Sequence, residues 1–215
     1  MEQLRKDAKR LGIWNLVIPI VFLLTATLIM FLFSRNQEWN GVEGFVAVST
    51  LIDIPLFTFL YFCWYRFLGG VIRCFPDNKK LKMAAITGYV AVSIRVAISA
   101  IGLIMVVYPV LFNNSFNIST LFTRNGLVPN GAFAVHSSTA MIAYYILIAV
   151  MFLFFMLAAE RKSALRTLAL ICLILFAAAA VLPRLLSMLP WIILEIGADV
   201  ATLLFLLKIN YYQAV

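Results

Sequence analysis

The stretch Pro190 to Leu207, PWIILEIGADVATLLFLL, decides how this chain is read. It is long and apolar enough to cross a bilayer, whose hydrocarbon core takes about 20 residues of helix. Yet it carries Glu195 and Asp199. These stand four residues apart, so on a helix they share one face, and Thr202 continues the stripe. A carboxylate in hydrocarbon is costly and is retained with a partner or a water-filled cavity. The one base elsewhere in the chain at comparable depth is Arg95. The pattern points to a polar centre inside a bundle of apolar helices.

The rest of the chain has the same character. Its 215 residues are 64% hydrophobic and only 12% charged, with a mean hydropathy of +1.02. Soluble domains run near one-quarter charged, so this composition predicts an all-α, polytopic membrane helix bundle. Six apolar runs reach spanning length, roughly 13–34, 45–68, 83–109, 133–158, 165–182 and 189–208. Residues 1–215 read as a single integral membrane domain. The run after the basic start MEQLRKDAKR is too long for a signal peptide and lacks a small-x-small cleavage site, so it reads as an uncleaved first helix.

The net charge of +8 raises the question of nucleic acid, and its placement answers it. Thirteen of the seventeen bases fall in the N-terminal tail, the loops after helices two and four, and Lys208. Three, Arg35, Arg124 and Arg184, fall on the other side. That bias is the positive-inside pattern; it reports topology rather than a polyanionic partner, and it predicts six transmembrane helices with both termini cytoplasmic. The long loop 110–132, rich in Asn, Ser and Gly, is then external. Asn130-Gly131 reads as a break before the fourth helix, whose first turns carry His136 and Ser137-Ser138-Thr139. Trp14, Trp39, Trp64, Tyr108, Trp191 and Tyr211 read as an interfacial aromatic belt.

Helix arithmetic at 1.5 Å per residue places Asp53 about 12 Å below the outer boundary and Arg95 near the same level. Asp199 falls at a similar depth, Glu195 one turn further out, and His136 near the outer mouth. Asp53, Arg95, His136, Glu195 and Asp199 are therefore the candidate ligand-binding residues. Around Arg95 one face reads Gly88, Val92, Ser99, Gly102, a small-residue interface rather than a lipid surface. Three acids stand against one fixed positive charge. Desolvation and like charge both favour the neutral carboxyl, so at least one acid is expected to be protonated or cation-bound.

Competing explanations are simpler. A buried Arg–Glu pair can serve as structural glue, and His136 can be an interfacial residue satisfied by water or backbone. One His with scattered carboxylates does not make a metal site. Cys63, Cys74 and Cys172 show no metal spacing; the first and last read as packing residues and Cys74 as an interfacial thiol. No cofactor is implied.

The acid in LIDIPLF (Asp53), the Arg in SIRVAIS (Arg95), the His in AVHSS (His136) and the Glu in PWIILEIG (Glu195) together resemble a family of six-helix bacterial integral membrane proteins of unknown function. Asp199 lies outside that pattern. The resemblance implies a bacterial cytoplasmic membrane and supplies no activity.

Three function classes follow. The first is a protein that binds or carries a small cationic, protonatable or amphipathic ligand through an outward-opening pocket near the midplane. Helices one to three do not repeat in four to six, which weighs against an inverted-repeat transporter. The second is a non-catalytic assembly, sensing or immunity protein whose buried charges are structural. The third is an intramembrane acid/base enzyme acting on a lipid or isoprenoid, with a carboxyl as acid and His136 as base. The chain lacks an intramembrane-protease Ser motif, a Glu-Glu-x-x-x-Arg motif, a diphosphate-binding acidic repeat and a multi-His site, so the balance leans away from an enzyme. Membrane lipid and a small molecule or ion are the expected partners.

Overall fold

A computed structural model describes the backbone of residues 1–34, 41–112, 127–181 and 188–209. Within it, the side chains at 23, 26, 29, 30, 32–34, 41–54, 102–112, 127–138 and 188–193 are not described. The described residues form six helices and no strand: α1 Glu2–Ser34, α2 Gly41–Cys74, α3 Lys79–Phe112, α4 Leu127–Ala158, α5 Ala164–Val181 and α6 Met188–Lys208. Each helix packs against its neighbours in sequence, and α6 closes back onto α1. The bundle is therefore a ring of antiparallel helices.

Among the described residues, four stretches are long and apolar enough to cross a membrane: Pro55–Cys74, Lys79–Ile101, Thr139–Ala158 and Ala164–Val181. Leu24, Leu28, Phe31, Phe62, Ile174 and Val181 are more than half exposed. Large apolar side chains on the outside of helices that also bury apolar side chains inside are the signature of a lipid-facing surface.

Several helices run further than the apolar runs. α1 starts at Glu2 rather than near residue 13. Leu4, Ala8 and Leu11 recur at helical spacing and are fully buried, so the basic tail is itself amphipathic. It packs on the end of α2, where a Cβ on Gly70 would lie 3.0 Å from Leu4 Cδ1. Asp7, buried on this face, accepts from Gln3 Nε2 at 3.1 Å and pairs with Arg66 at 3.4 Å. The loop expected at 110–132 is also shorter, because α3 continues to Phe112 and α4 begins at Leu127. Asn130-Gly131 lies inside α4 instead of before it. Pro129 stands in the first turn, where a missing N–H costs little.

Two tight turns join the helices at the basic end. Pro76 disfavours helix at Phe75 and stops α2. Asn78 Oδ1 then accepts from the amides of Lys80 (3.1 Å) and Leu81 (3.2 Å), capping α3. Ser163 Oγ caps α5 by accepting from the Arg166 amide at 3.2 Å. Just inside this end, Phe67, Phe152, Phe155 and Phe205 are fully buried. Phe205 lies 5.2 Å, centroid to centroid, from both Phe152 and Phe155. These rings form an aromatic floor across the interior between α2, α4 and α6.

Candidate functional site

Three helices meet at Asp199. Trp64 on α2 donates its Nε1–H to Asn15 Oδ1 at 3.2 Å, and Asn15 on α1 donates from Nδ2 to Asp199 Oδ1 at 2.7 Å. An indole N–H can only donate, so it fixes which end of the Asn15 amide faces which partner. The NH2 group is thereby committed to the carboxylate. Asn15 is 6% exposed and Trp64 4%, so water does not share these bonds. Asn15 reaches α6 because Gly12, one turn earlier, lets the two helices close. A Cβ there would stand 2.8 Å from Leu203 Cδ1 and 3.4 Å from its Cα.

One turn along α6, Glu195 accepts a hydrogen bond from the Tyr145 hydroxyl on α4. Tyr145 is buried, stacked on Phe176 at 6.5 Å and edge-on to Tyr144 at 5.2 Å. Tyr145 and Glu195 each stand thirteen residues, about 20 Å, from the basic ends of their helices, which is why they meet. Arg95 on α3 completes the series. Its guanidinium lies 6.0 Å from the centroid of the Tyr144 ring and donates to Met141 Sδ. The Tyr61 hydroxyl lies beside it and is itself 3.4 Å from Ser99 Oγ. Arg95, Glu195 and Asp199 are all half-buried rather than sealed.

The carboxylates do not rely on Arg95 as their direct partner. Among the described residues the ion pairs are Glu2–Lys6 and Asp7–Arg66, and no carboxylate lies within pairing distance of Arg95. The reason is the ring order. α4 stands between α3 and the α5–α6 side, so Tyr144 and Tyr145 separate the guanidinium from Glu195. A guanidinium has five donors, and a thioether and a phenol use few of them. Arg95 and the two acids therefore stand on opposite sides of an aromatic partition.

The other two candidates stand further along the bundle. The side chains of Asp53 and His136 lie outside the described set. Their helix positions do bear on depth. Tyr61 is level with Ser99, so the Asp53 backbone is eight residues, about 12 Å, beyond that level, not beside Arg95. His136 is five residues, about 7.5 Å, beyond Met141 in the same direction. The ionisable residues thus string out along the half of the ring away from the aromatic floor, with Arg95 and Glu195 in the middle and Asp199 deepest.

Asn15, Trp64 and Tyr145 carry the geometry of this site, and none of them is among the five candidates read from sequence. Trp64 is a buried donor rather than a belt residue. Tyr145 is a specific hydrogen-bond partner of Glu195. Asn15 did leave a signal, an amide near the start of an apolar run, where side-chain amides bond across helices. A cavity of about 220 Å³ opens elsewhere, between the two turns of the basic end, lined by Cys74, Asp77, Asn78, Glu160 and Ser163. It includes none of the five candidates. No known protein family, characterised protein or solved structure matches this chain.

Proposed function

We propose that this chain is a multi-pass protein of a bacterial cytoplasmic membrane that binds or carries a small cationic or amphipathic ligand. In this reading all six helices span and both termini are cytoplasmic. Support for the orientation comes from the thirteen bases gathered at one end of the bundle. The aromatic floor of Phe67, Phe152, Phe155 and Phe205 then closes the cytoplasmic half, and the polar half opens outward. The observation that carries the reading is the pair Glu195 and Asp199. Among the described residues, each of these two half-buried acids on one face is held by one neutral donor and by no base. Such a face attracts positive charge.

The test is equilibrium binding of tetraphenylphosphonium and ethidium to the purified protein in lipid nanodiscs. Saturable binding is expected, weakened about 10-fold or more in Glu195→Gln, which keeps the shape and removes the charge. Absence of saturable binding by both cations refutes the reading.

A second reading is favoured by the Trp64–Asn15–Asp199 relay, which ties α2, α1 and α6 together. Here the polar cluster serves assembly of the ring and the protein acts through its helix faces. Unfolding of Asn15→Leu alone, with the Asn15→Leu/Asp199→Leu double variant folded and still active in its host, would support it over the first.

A further inference from the structure

The outer side of the α1–α2 seam, at the basic end, carries two guanidinium groups next to three exposed aromatic rings. Trp14 on α1 meets Phe59 on α2 edge-on, with ring centroids 5.3 Å apart. Trp14 is 36% exposed and Phe59 39%, and Phe62, on the following turn of α2, is 53% exposed. Arg10 stands one turn from Trp14 toward the basic end, and Arg66 one turn from Phe62 in the same direction. Both arginines are exposed. Both also lie within electrostatic reach of the buried Cys63 thiol, which places them on the same seam.

The antiparallel pairing of the helices brings the two bases to one level. Side chains on a helix lean toward its N-terminus. Arg10 on α1 therefore leans toward the basic end, and Arg66 on α2 leans back toward the apolar zone. Arg66 Cζ stands 5.8 Å from the centroid of the Phe62 ring. Asp7 on α1 holds it there, 3.4 Å from Arg66 Nη2. That contact is the ion pair of Arg66 among the described residues, and 42% of its side chain stays open. A base beside an apolar edge usually snorkels away toward water, whereas this one is kept at the boundary.

Arg10 and Arg66 bring two positive charges to the seam and Asp7 one negative, which leaves one positive charge in excess. A phosphodiester carries the single negative charge that balances it. A free phosphate would use the bases and leave Trp14, Phe59 and Phe62 in contact with nothing of its own. A phospholipid presents the two chemistries in the order found here, phosphate at the boundary and hydrocarbon one turn deeper. Basic pockets between membrane helices hold anionic head groups in this way. We propose that Arg10 and Arg66 hold the phosphate of an anionic phospholipid, with its acyl chains laid over Trp14, Phe59 and Phe62. The site rests on α1 and α2 spanning the membrane and is independent of any ligand in the interior.

Native mass spectrometry of the full chain in detergent tests it, by titration with dioleoyl phosphatidylglycerol or dioleoyl phosphatidylcholine, which share their chains and differ in net charge. The first phosphatidylglycerol is expected to bind about 10-fold or more tightly than phosphatidylcholine. The Arg10 side chain makes no ion pair or hydrogen bond among the described residues, so Arg10→Gln keeps the fold. It is expected to weaken phosphatidylglycerol about 5-fold. Lys162→Gln, at the α4–α5 turn, is expected to leave the affinity unchanged. Equal affinities for the two lipids overturn the site. So does an equal loss in Arg10→Gln and Lys162→Gln, which would mark diffuse surface charge. Displacement of the lipid by millimolar inorganic phosphate also overturns it, because the rings would then contribute nothing. Tetraphenylphosphonium binding to the same protein reports on the interior alone, so the lipid site and the ligand reading fail separately.

Discussion

Replacing Asn15 by leucine removes both bonds of the Trp64–Asn15–Asp199 relay at once. Interhelical hydrogen bonds in membrane proteins average about 0.6 kcal/mol, so the pair alone is worth about 1 kcal/mol. The larger effect is on the groups left behind. A buried polar group without a partner costs about 1–3 kcal/mol, and a charged one more. Trp64 at 4% exposure leaves its indole N–H no water to turn to, whereas the half-buried Asp199 carboxylate is partly relieved by solvent. The expected loss is about 2–4 kcal/mol of unfolding free energy, read by reversible unfolding in lipid–detergent mixed micelles. Adding Asp199→Leu removes the stranded carboxylate. The double variant is therefore expected to be more stable than Asn15→Leu alone, a non-additivity that a double-mutant cycle isolates. The reasoning is refuted if Asn15→Leu stays within about 0.5 kcal/mol of the parent, or if the two substitutions simply add.

Gly88 and Gly197 should respond to alanine with opposite signs in the same assay. At Gly88 a Cβ would lie 2.7 Å from Met151 Sδ and 2.8 Å from Leu68 Cδ2, so Gly88→Ala is expected to cost about 1–2 kcal/mol. At Gly197 a Cβ meets nothing within 4 Å, so Gly197→Ala is expected to gain up to about 1 kcal/mol in helix propensity; equal effects at the two sites would refute the α2–α3–α4 packing. Cys63 and Cys172 are buried and Cys74 is half-buried at the basic end. A membrane-impermeant maleimide is expected to label Cys74 alone, in inverted vesicles and not in intact spheroplasts, and the reverse result would invert the proposed topology.

Helix number was legible because an apolar run has one way to satisfy its backbone away from water. The ends were less legible. Leu4, Ala8 and Leu11 were masked by the bases between them, although their spacing already carried the helix. Asn130-Gly131 read as a break that Pro129 at the start of α4 overrides. Depth was partly legible, since Arg95, Glu195 and Asp199 do lie in one zone, whereas the Asp53 position in α2 stands well beyond it. Partner choice was not legible. Asn15 and Asp199 are 184 residues apart in the chain and meet only because α6 closes the ring onto α1.

By itself the sequence determined that the chain is helical and apolar, with acids and a lone base set among its hydrophobic runs. Those are properties of single segments, settled by the desolvation of backbone and side chains. Only the tertiary structure decided that Tyr145 and Asn15, rather than Arg95, hold the two carboxylates. That outcome depends on how each helix is rotated and which helices are neighbours in the ring. Neither quantity is written in any one segment, because both come from the packing of all six together.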